Sequence, residues 1–279
     1  MKSLLKYALV AVGLMMTFIT SAQSDSIKKT NVQFKIGAYY NSNLNYFGRT
    51  DSLRSSGFFP MAELWINKHF YINAAPVFVN NTAASFQYAG TVATAGYQFN
   101  DQKRWAGNFY VVKPIYKDNS ELVQSALKAQ VAASLTLQNK IINITGGADV
   151  KFSGNTDFGA TGGLDHIFRF QLDDKTVLVI DPSSYVYAGT QQFTNTYYKK
   201  SSFLLFPGVE QQVSENVKKF NILSYELSVP VILGMGKFQL LAIPSYVMPQ
   251  NLITVPNRPD LSERGENLFY ATLGAKVTF

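Results

Sequence analysis

The side chains that could perform acid–base chemistry include two histidines, His69 and His166. His166 lies in the sequence LDHIFRF, between Asp165 and Arg169, so a carboxylate on a neighbouring strand could orient its imidazole ring. His69 lies beside two aromatic residues at a predicted tight turn, where an amphipathic side chain at a membrane interface is common. Neither histidine is accompanied by a His-x-Ser or Gly-x-Ser-x-Gly motif. We expect both histidines to be structural and the chain not to be an enzyme.

The sequence contains no motif for a metal or an organic cofactor. It has no cysteine, which excludes disulfides, thiolate zinc sites and cysteine nucleophiles. It also has no His-Glu-x-x-His helix and no calcium-binding loop. Residues 234–237 only superficially resemble a phosphate loop, since Phe238 stands where Ser or Thr is required, and we interpret them as a hairpin turn. We expect no metal and no cofactor.

The remaining chain is organised by an alternation of apolar and polar residues. In residues 127–138, 142–152 and 269–279 every second residue is apolar and the residues between them are mostly polar. Since side chains of a strand point alternately to opposite faces, each segment predicts a strand with one apolar face. In residues 69–117, small and aromatic residues occur on both faces, so the sequence does not show which face would be the apolar one. The predicted strands are 31–41, 57–66, 69–80, 86–99, 105–117, 125–138, 141–153, 160–172, 175–190, 219–233, 237–249 and 267–279.

The connections between these strands alternate in length. Tight joins at 67–68, 100–104, 139–140, 173–174 and 234–236 alternate with joins that are longer on average, at 42–56, 81–85, 118–124, 154–159, 191–218 and 250–266. Short turns at one end and longer loops at the other are typical of a transmembrane β-barrel. A soluble β-sandwich or lipocalin-like barrel is the alternative, but its strands are usually only about five or six residues long. We predict an all-β, antiparallel transmembrane β-barrel of about twelve strands.

Six prolines lie inside the predicted strands. They are Pro60, Pro76, Pro114, Pro182, Pro230 and Pro244. Because proline cannot donate a hydrogen bond to a neighbouring strand, we expect several of them to mark bulges, strand ends or shortened pairing.

Residues 1–23 have the organisation of a secretory signal peptide. Two lysines precede a short apolar stretch at 7–19, and small residues precede Gln23. A retained anchor helix is the alternative, but the apolar stretch is short and polar residues follow at once. We expect export, cleavage near Gln23, and a single barrel domain over residues 24–279.

The composition excludes two other classes of protein. Hydrophobic residues make up 47% of the chain and charged residues 15%, which is the opposite of the balance found in disordered proteins. The formal net charge of +7 is spread thinly, and no basic cluster with interleaved aromatics is present. We expect no nucleic-acid partner.

The C-terminal segment LFYATLGAKVTF resembles the terminal strand of Gram-negative outer-membrane β-barrel proteins. That family ends in an alternating strand with a final aromatic residue, here Phe279, and Phe269 lies on the same face. The resemblance implies that Phe269 and Phe279 form an assembly signal read by the barrel-assembly machinery. It also implies a location in the cell outer membrane, with outer-membrane lipids as partners. It does not predict an activity or an oligomeric state.

If the apolar face of each strand contacts lipid, the charged strand residues point into the barrel. The predicted inward charges are Lys35, Glu63, Lys128, Asp149, Lys151, Asp165, Arg169, Asp181, Glu226 and Lys276. A lipid-facing Arg or Lys would cost about 2–4 kcal/mol near the membrane midplane, which favours the inward position. Asp149, Lys151, Asp165, Arg169 and Asp181 fall on three successive strands, so we expect them to form one cluster. The cluster could either neutralise itself or act as a selectivity constriction.

Three functions are compatible with these features. The first is a narrow, non-enzymatic channel or transporter for small solutes or lipid-like molecules. The second is a scaffold for binding or adhesive loops, because the 191–218 connection carries Tyr, Lys and an apolar FLLFP sequence that could instead plug the barrel mouth. The third is a lipid-modifying enzyme that uses His166.

Overall fold

A computed structural model shows that the chain folds into a closed antiparallel β-barrel. The structure describes residues 32–83, 85–101, 104–117, 126–192, 218–254 and 262–279. The predicted signal peptide and residues 193–217 of the long connection lie outside the described residues. Among the described residues, no helix is long and apolar enough to cross a membrane.

Twelve antiparallel strands form the wall, as predicted. The elements are β1 (Val32–Asn41), β2 (Asn45–Tyr46), β3 (Arg49–Thr50), β4 (Ser56–Ile66), β5 (Phe70–Asn80), β6 (Gln87–Asn100), β7 (Trp105–Tyr116), β8 (Ala129–Leu137), β9 (Asn143–Phe152), β10 (Thr156–Asp165), β11 (Phe168–Gln171), β12 (Thr176–Ile180), β13 (Ser183–Gly189), β14 (Asn221–Ser228), β15 (Val231–Met235), β16 (Phe238–Pro249) and β17 (Leu268–Thr278). The pairs β10–β11, β12–β13 and β14–β15 each make one interrupted wall strand, whereas β2 and β3 form a separate hairpin. Strand β17 pairs with both β16 and β1, which closes the barrel.

The two ends of the barrel differ in the length of their connections. We call the end with the short connections the turn rim and the end with the longer ones the loop rim. Residues 42–55 lie at the loop rim, as do the end of β13 and the start of β14, whereas β15 and β16 are joined at the turn rim by a turn in which Gly236 has a φ of 59°. The predicted hairpin at 234–237 therefore occurs.

The outward face of the wall is apolar. Phe269 and Leu273 of β17 and the following Phe279 point outward and are 65%, 52% and 46% exposed, while Lys276 of β17 lies on the inward face. In the part of the chain where the faces were ambiguous, Phe109 of β7 points outward and the neighbouring Tyr110 points inward. An exposed apolar surface that runs around a closed barrel is stable in lipid rather than in water.

Lys113 is the one charged residue on the outward face of the described wall strands. It lies near the end of β7 at the loop rim, three residues before Tyr116. A lysine so close to a strand end can extend its ammonium group to the membrane surface, which lowers the cost of its outward position.

Five of the six prolines lie where strand pairing is interrupted on at least one side. Pro182 and Pro230 lie in the gaps between β12 and β13 and between β14 and β15. Pro60 and Pro76 lie in a stretch where β4 and β5 are not paired, although the register is the same on both sides of it. Pro244 lies between the part of β16 that pairs with β15 and the part that pairs with β14, whereas Pro114 lies in the paired part of β6 and β7. The expected disturbance of pairing is therefore confirmed for five positions.

The orientation of adjacent residues on β8 allows a direct test of the membrane-facing surface. Ala133 points outward at the middle of the strand, and Ser134 points inward. Replacing Ala133 with Arg should lower the free energy of unfolding by about 2–4 kcal/mol, because the charge would face hydrocarbon. The measurement is denaturant-induced unfolding in lipid vesicles, with Ser134→Arg as the control. Equal losses in the two variants would contradict this assignment of faces.

Candidate functional site

Residues 42–55 fold into the mouth of the barrel, and we call them the plug hairpin. Strands β2 and β3 pair antiparallel, and Phe47 and Gly48 join them with φ angles of 56° and 75°. Two central residues with positive φ are the mark of a type I′ hairpin turn. Such a φ is costly for a phenylalanine and persists only where the surroundings hold it.

Apolar contacts attach the plug hairpin to opposite sides of the wall. Leu44 is buried in a cluster with Val77 and Val79 of β5. The Phe47 ring lies 5.4 Å from the ring of Tyr187 on β13, and Lys151 Nζ of β9 lies 5.4 Å from the centroid of the same Phe47 ring. Because β5 is the third wall strand and β9 and β13 belong to the seventh and ninth, the hairpin crosses the lumen.

Arg49 of the plug hairpin is 2% exposed and connects four parts of the chain. Its Nη2 donates to Gln191 Oε1 at 2.8 Å and to Gln250 O at 3.1 Å. Its Nη1 donates to Leu223 O at 3.2 Å and to a carbonyl within the hairpin. Its Nε lies 3.1 Å from Glu263 Oε2, forming an ion pair. Arg49 therefore holds the plug hairpin against β14 and against the two longest connections of the loop rim.

Glu263 is held as firmly as Arg49. Its side chain is 3% exposed, and its Oε2 accepts a hydrogen bond from the Ile253 N–H at 2.9 Å. A backbone hydrogen bond also joins the Thr50 N–H of the hairpin to the Arg264 carbonyl oxygen at 2.9 Å. Removing one member of a buried ion pair leaves the other charge without compensation, which is strongly destabilising. The position of the hairpin thus depends on both charges.

The five charges predicted to form one cluster are separated into two groups. Lys151 and Asp149 form a buried ion pair near the loop rim, beside Gly159 of β10. Asp165 lies six residues further along β10 than Gly159, or about 20 Å at 3.3 Å per residue, and faces Asn143. The single-cluster prediction is therefore wrong, because the strand register spreads these residues along the barrel axis.

Arg169 also differs from its predicted role as a counter-charge. It lies on β11 near the turn rim, opposite Val179, and its side chain is exposed. Among the described residues no carboxylate forms an ion pair with it. The break in the wall strand after Asp165 places it further along the axis than the carboxylates that it was expected to neutralise.

Three carboxylates line the inside of the eighth to tenth wall strands, and we call Asp165, Asp181 and Glu226 the acidic patch. Asp165 Oδ2 accepts from Asn143 Nδ2 at 2.7 Å, and Glu226 Oε1 accepts from a tyrosine hydroxyl at 3.1 Å. Asp181 Oδ1 is buried without a hydrogen-bond partner among the described residues. No described basic side chain forms an ion pair with any of the three, so this part of the lumen carries negative charge.

A second group of charges lies inside the barrel between β1, β4 and β17. Lys276 Nζ is 3.4 Å from Glu63 Oε1, and Trp65 Nε1 donates to Glu63 Oε2 at 3.3 Å. Lys35 Nζ lies 4.3 Å from the centre of the Trp65 ring. These contacts nearly neutralise Glu63 and leave one positive charge in excess. The tenth predicted inward charge, Lys128, lies just before β8 and is exposed.

Tyrosine rings fill much of the remaining lumen. The inward tyrosines are Tyr39, Tyr71, Tyr110, Tyr116, Tyr185, Tyr187 and Tyr270. Several lie flat on glycines of the adjacent strand, as Tyr71 does on Gly96, where an added Cβ would lie 2.4 Å from the ring. The tyrosine rings are apolar, but their hydroxyl groups can form hydrogen bonds with polar solutes. Beside Tyr39, near the turn rim, a cavity of about 220 Å³ remains.

Neither histidine belongs to a catalytic arrangement in the described residues. His69 Nδ1 lies 2.9 Å from Gln98 O, and the ring stacks on Tyr97 at 5.7 Å. The His166 ring packs edge-on against Phe168, an exposed residue, at 4.4 Å. No described serine bonds to either imidazole.

Sequence reasoning missed the plug hairpin, which it treated only as a long connection. The signal available in the sequence was the Asn-Tyr-Phe-Gly run at 45–48, in which asparagine and glycine flank the turn. Asn45 Oδ1 accepts from Gly48 N–H at 3.0 Å, which stabilises that turn locally. The residues that bond to Arg49 lie far from it in the sequence, so no local pattern predicts them.

No family model matches the chain, and no curated protein matches it. Among solved structures, it is similar to the KdgM porin at 6% identity, over 88% of this chain and 99% of that chain, with a TM-score of 0.46. It is also similar to LpxR from Salmonella typhimurium at 10% identity, over 88% and 99%, with a TM-score of 0.44. The translocator domain of the autotransporter NalP from Neisseria meningitidis shows 9% identity over 98% and 97%, with a TM-score of 0.41. The barrel fold expected from the resemblance to Gram-negative outer-membrane β-barrels is confirmed by the strand pairing of this chain itself.

The buried ion pair of the plug hairpin has an exposed counterpart in the same loops. Replacing Arg49 with Met should lower the free energy of unfolding by about 3–5 kcal/mol, because Glu263 would be buried without its partner. Adding Glu263→Gln should recover part of the loss. The measurement is denaturant-induced unfolding in vesicles.

Arg54 and Glu266 provide the matched control. Their ion pair at 2.7 Å is 62% and 51% exposed, so Arg54→Met should change the same quantity by no more than about 1 kcal/mol. A similar effect of the two arginine substitutions would show that Arg49 does not hold the hairpin.

Proposed function

We propose that this protein is a non-enzymatic channel of the bacterial outer membrane that passes small solutes, and that the plug hairpin gates it. The observation that carries the proposal is the plug itself. A lumen lined by tyrosines and charged residues is closed at one end by a segment that is held by the hydrogen bonds and ion pair of Arg49, by one backbone bond of Thr50 and by apolar contacts.

The nature of the contacts supports a movable plug. The hairpin has two residues in each of its strands, and in the described residues it adds no strand to the wall. Its turn contains a phenylalanine at positive φ, which stores conformational strain that release would relieve. Gly48 lies against Pro249, where an added Cβ would be 2.8 Å from the proline ring. Close noncovalent packing therefore holds the turn of the hairpin in place.

The charges along the lumen favour a preference for cations. The acidic patch lies on one side of the path and forms no ion pair with a described lysine or arginine, so its carboxylates would attract cations in a confined space. The excess positive charge near Lys35 lies on another part of the wall, beside β4 and β17. We infer that small cations or zwitterions pass more readily than anions.

The two alternatives have less support. The loop-scaffold function rests on residues 193–217, which lie outside the described residues. An enzymatic function would require a nucleophile arranged around His166, and the described interactions of that ring are an edge-on contact with Phe168 and an electrostatic interaction with Asp181.

Single-channel recording in planar bilayers tests the gated channel. The wild-type protein should show brief openings of small conductance in potassium chloride, with a preference for potassium. Arg49→Met should raise the open probability by at least about tenfold, since each 1.4 kcal/mol removed from the closed state corresponds to about tenfold. Arg54→Met should behave like the wild type.

The ion preference can be tested separately by Asp181→Asn in the Arg49→Met background. Removing one charge of the acidic patch should shift the reversal potential in a potassium chloride gradient toward that of a non-selective pore. Absence of conductance in every variant, together with no solute uptake into liposomes, would reject the channel and favour the scaffold function.

The location and the assembly route are part of the same proposal. Phe279 points outward and is 46% exposed, and its N–H donates to Phe34 O at 2.8 Å. Its ring lies 6.2 Å from the Phe34 ring, so the terminal aromatic lies where β17 meets β1. A free last strand with this outward face would be available to the barrel-assembly machinery before the barrel closes.

Phe279→Lys should therefore reduce the yield of folded protein in the outer membrane more than Thr278→Lys, since Thr278 points into the lumen. Folded protein is measured by its heat-modifiable mobility on a gel. Equal yields for the two variants would contradict recognition of the terminal aromatic, and recovery of the wild type in the periplasm would contradict the location.

A further inference from the structure

A seam of altered pairing crosses the wall at the middle of the ninth to eleventh wall strands. Backbone N–H groups of neighbouring strands donate to the carbonyl oxygens of Pro182, Pro230 and Pro244, at 3.2, 2.9 and 3.1 Å. None of these prolines has an N–H of its own to return the bond. Two of them also lie in gaps between strand segments. The seam is thus less completely hydrogen-bonded than a regular sheet.

The outer surface of the seam contains a groove of about 280 Å³. Its lining includes Pro182, Leu227, Val229, Pro244, Tyr246 and Phe269. Strand register aligns Leu227 with Tyr246 and Tyr246 with Phe269, so these three side chains form one side of the groove. They are 47%, 38% and 65% exposed and all point outward. The groove therefore opens on the membrane-facing surface.

Three serines line the inner side of the seam. Ser183 lies opposite Ser228, and Ser228 lies opposite Ser245, all on the lumen side. The Oγ atoms of Ser183 and Ser228 are 2.8 Å apart, so their hydroxyl groups satisfy one another. The hydroxyl groups of these serines therefore face the lumen, and the outward side chains of the groove are apolar.

The surroundings determine what can occupy this space. The groove lies at the middle of the wall strands, amid the outward apolar band, where hydrocarbon rather than water is the solvent. Leaving it empty would forfeit dispersion contacts along its whole lining. A methylene group takes up roughly the volume of a water molecule, ~30 Å³, so the groove has room for on the order of nine methylene groups.

We propose that this groove is a binding site for one acyl chain of a membrane lipid. The two rings of Tyr246 and Phe269 and the rigid rings of Pro182 and Pro244 hold a chain against Val229. A chain seated there is more ordered than the lipid around the rest of the barrel. The site is separate from the lumen path and does not depend on the proposed channel function.

Photochemical labelling tests the site without any substitution. The protein is reconstituted in bilayers that contain a phosphatidylethanolamine with a diazirine at the middle of one acyl chain, illuminated, and mapped by mass spectrometry. Labelling of Val229 and Tyr246 should exceed that of Ile72 and Phe109 by about fivefold. The latter two are outward residues on the other side of the barrel, 54% and 50% exposed. Equal labelling of the two sets would overturn the proposal.

A matched pair of variants provides the second arm. Val229 and Val111 both point outward and are both 39% exposed, but only Val229 lines the groove. Val229→Trp fills the groove and should reduce labelling of Tyr246 to the level of Phe109, whereas Val111→Trp should leave it unchanged. Persistent enrichment in a folded Val229→Trp barrel would also overturn the proposal.

Discussion

Every backbone polar group of the wall must find a partner within the wall, and the rest of the structure depends on this constraint. A sheet in hydrocarbon can meet it only by closing on itself, which β17 does by pairing with β16 on one side and with β1 on the other. Closure fixes the two faces of every strand. The outward face becomes apolar, and nearly all strand charges are directed into the lumen, with Lys113 near the loop rim as the described exception.

Charges confined to a narrow lumen must then be compensated there. Lys151 forms an ion pair with Asp149, two residues away on β9, and Lys276 of β17 forms an ion pair with Glu63 of β4. Arg49 is compensated differently, because the plug hairpin that carries it folds into the barrel mouth, where Arg49 forms an ion pair with Glu263. The buried Arg49–Glu263 pair is therefore one of the main contacts that hold the plug hairpin in place, together with the Leu44 cluster and the hydrogen bonds of Arg49. The acidic patch is the part of the lumen where such compensation is incomplete, which is why the proposed ion preference rests on it.

Local patterns predicted the wall well, since alternation and turn residues are local properties. The faces of β9 and β17 follow directly from counting by two, and Phe269 and Phe279 point outward as expected. The plug could not be predicted in this way. Arg49 bonds to residues 142, 174 and 201 positions away, and nothing near it in the sequence indicates those partners. The separation of Asp149 from Asp165 has a similar cause, because two residues on adjacent strands can share a face and still lie far apart along the axis.

Hydrogen–deuterium exchange in lipid nanodiscs tests most directly whether residues 42–55 close the barrel. The Leu44 N–H donates to Ser55 O at 2.7 Å, and the Thr50 N–H donates to Arg264 O at 2.9 Å, both in a buried setting. If the plug hairpin occupies the mouth, these amides should exchange orders of magnitude more slowly than those of an exposed loop. Complete exchange of residues 44–50 within seconds, in a barrel whose wall strands remain protected, would contradict the account.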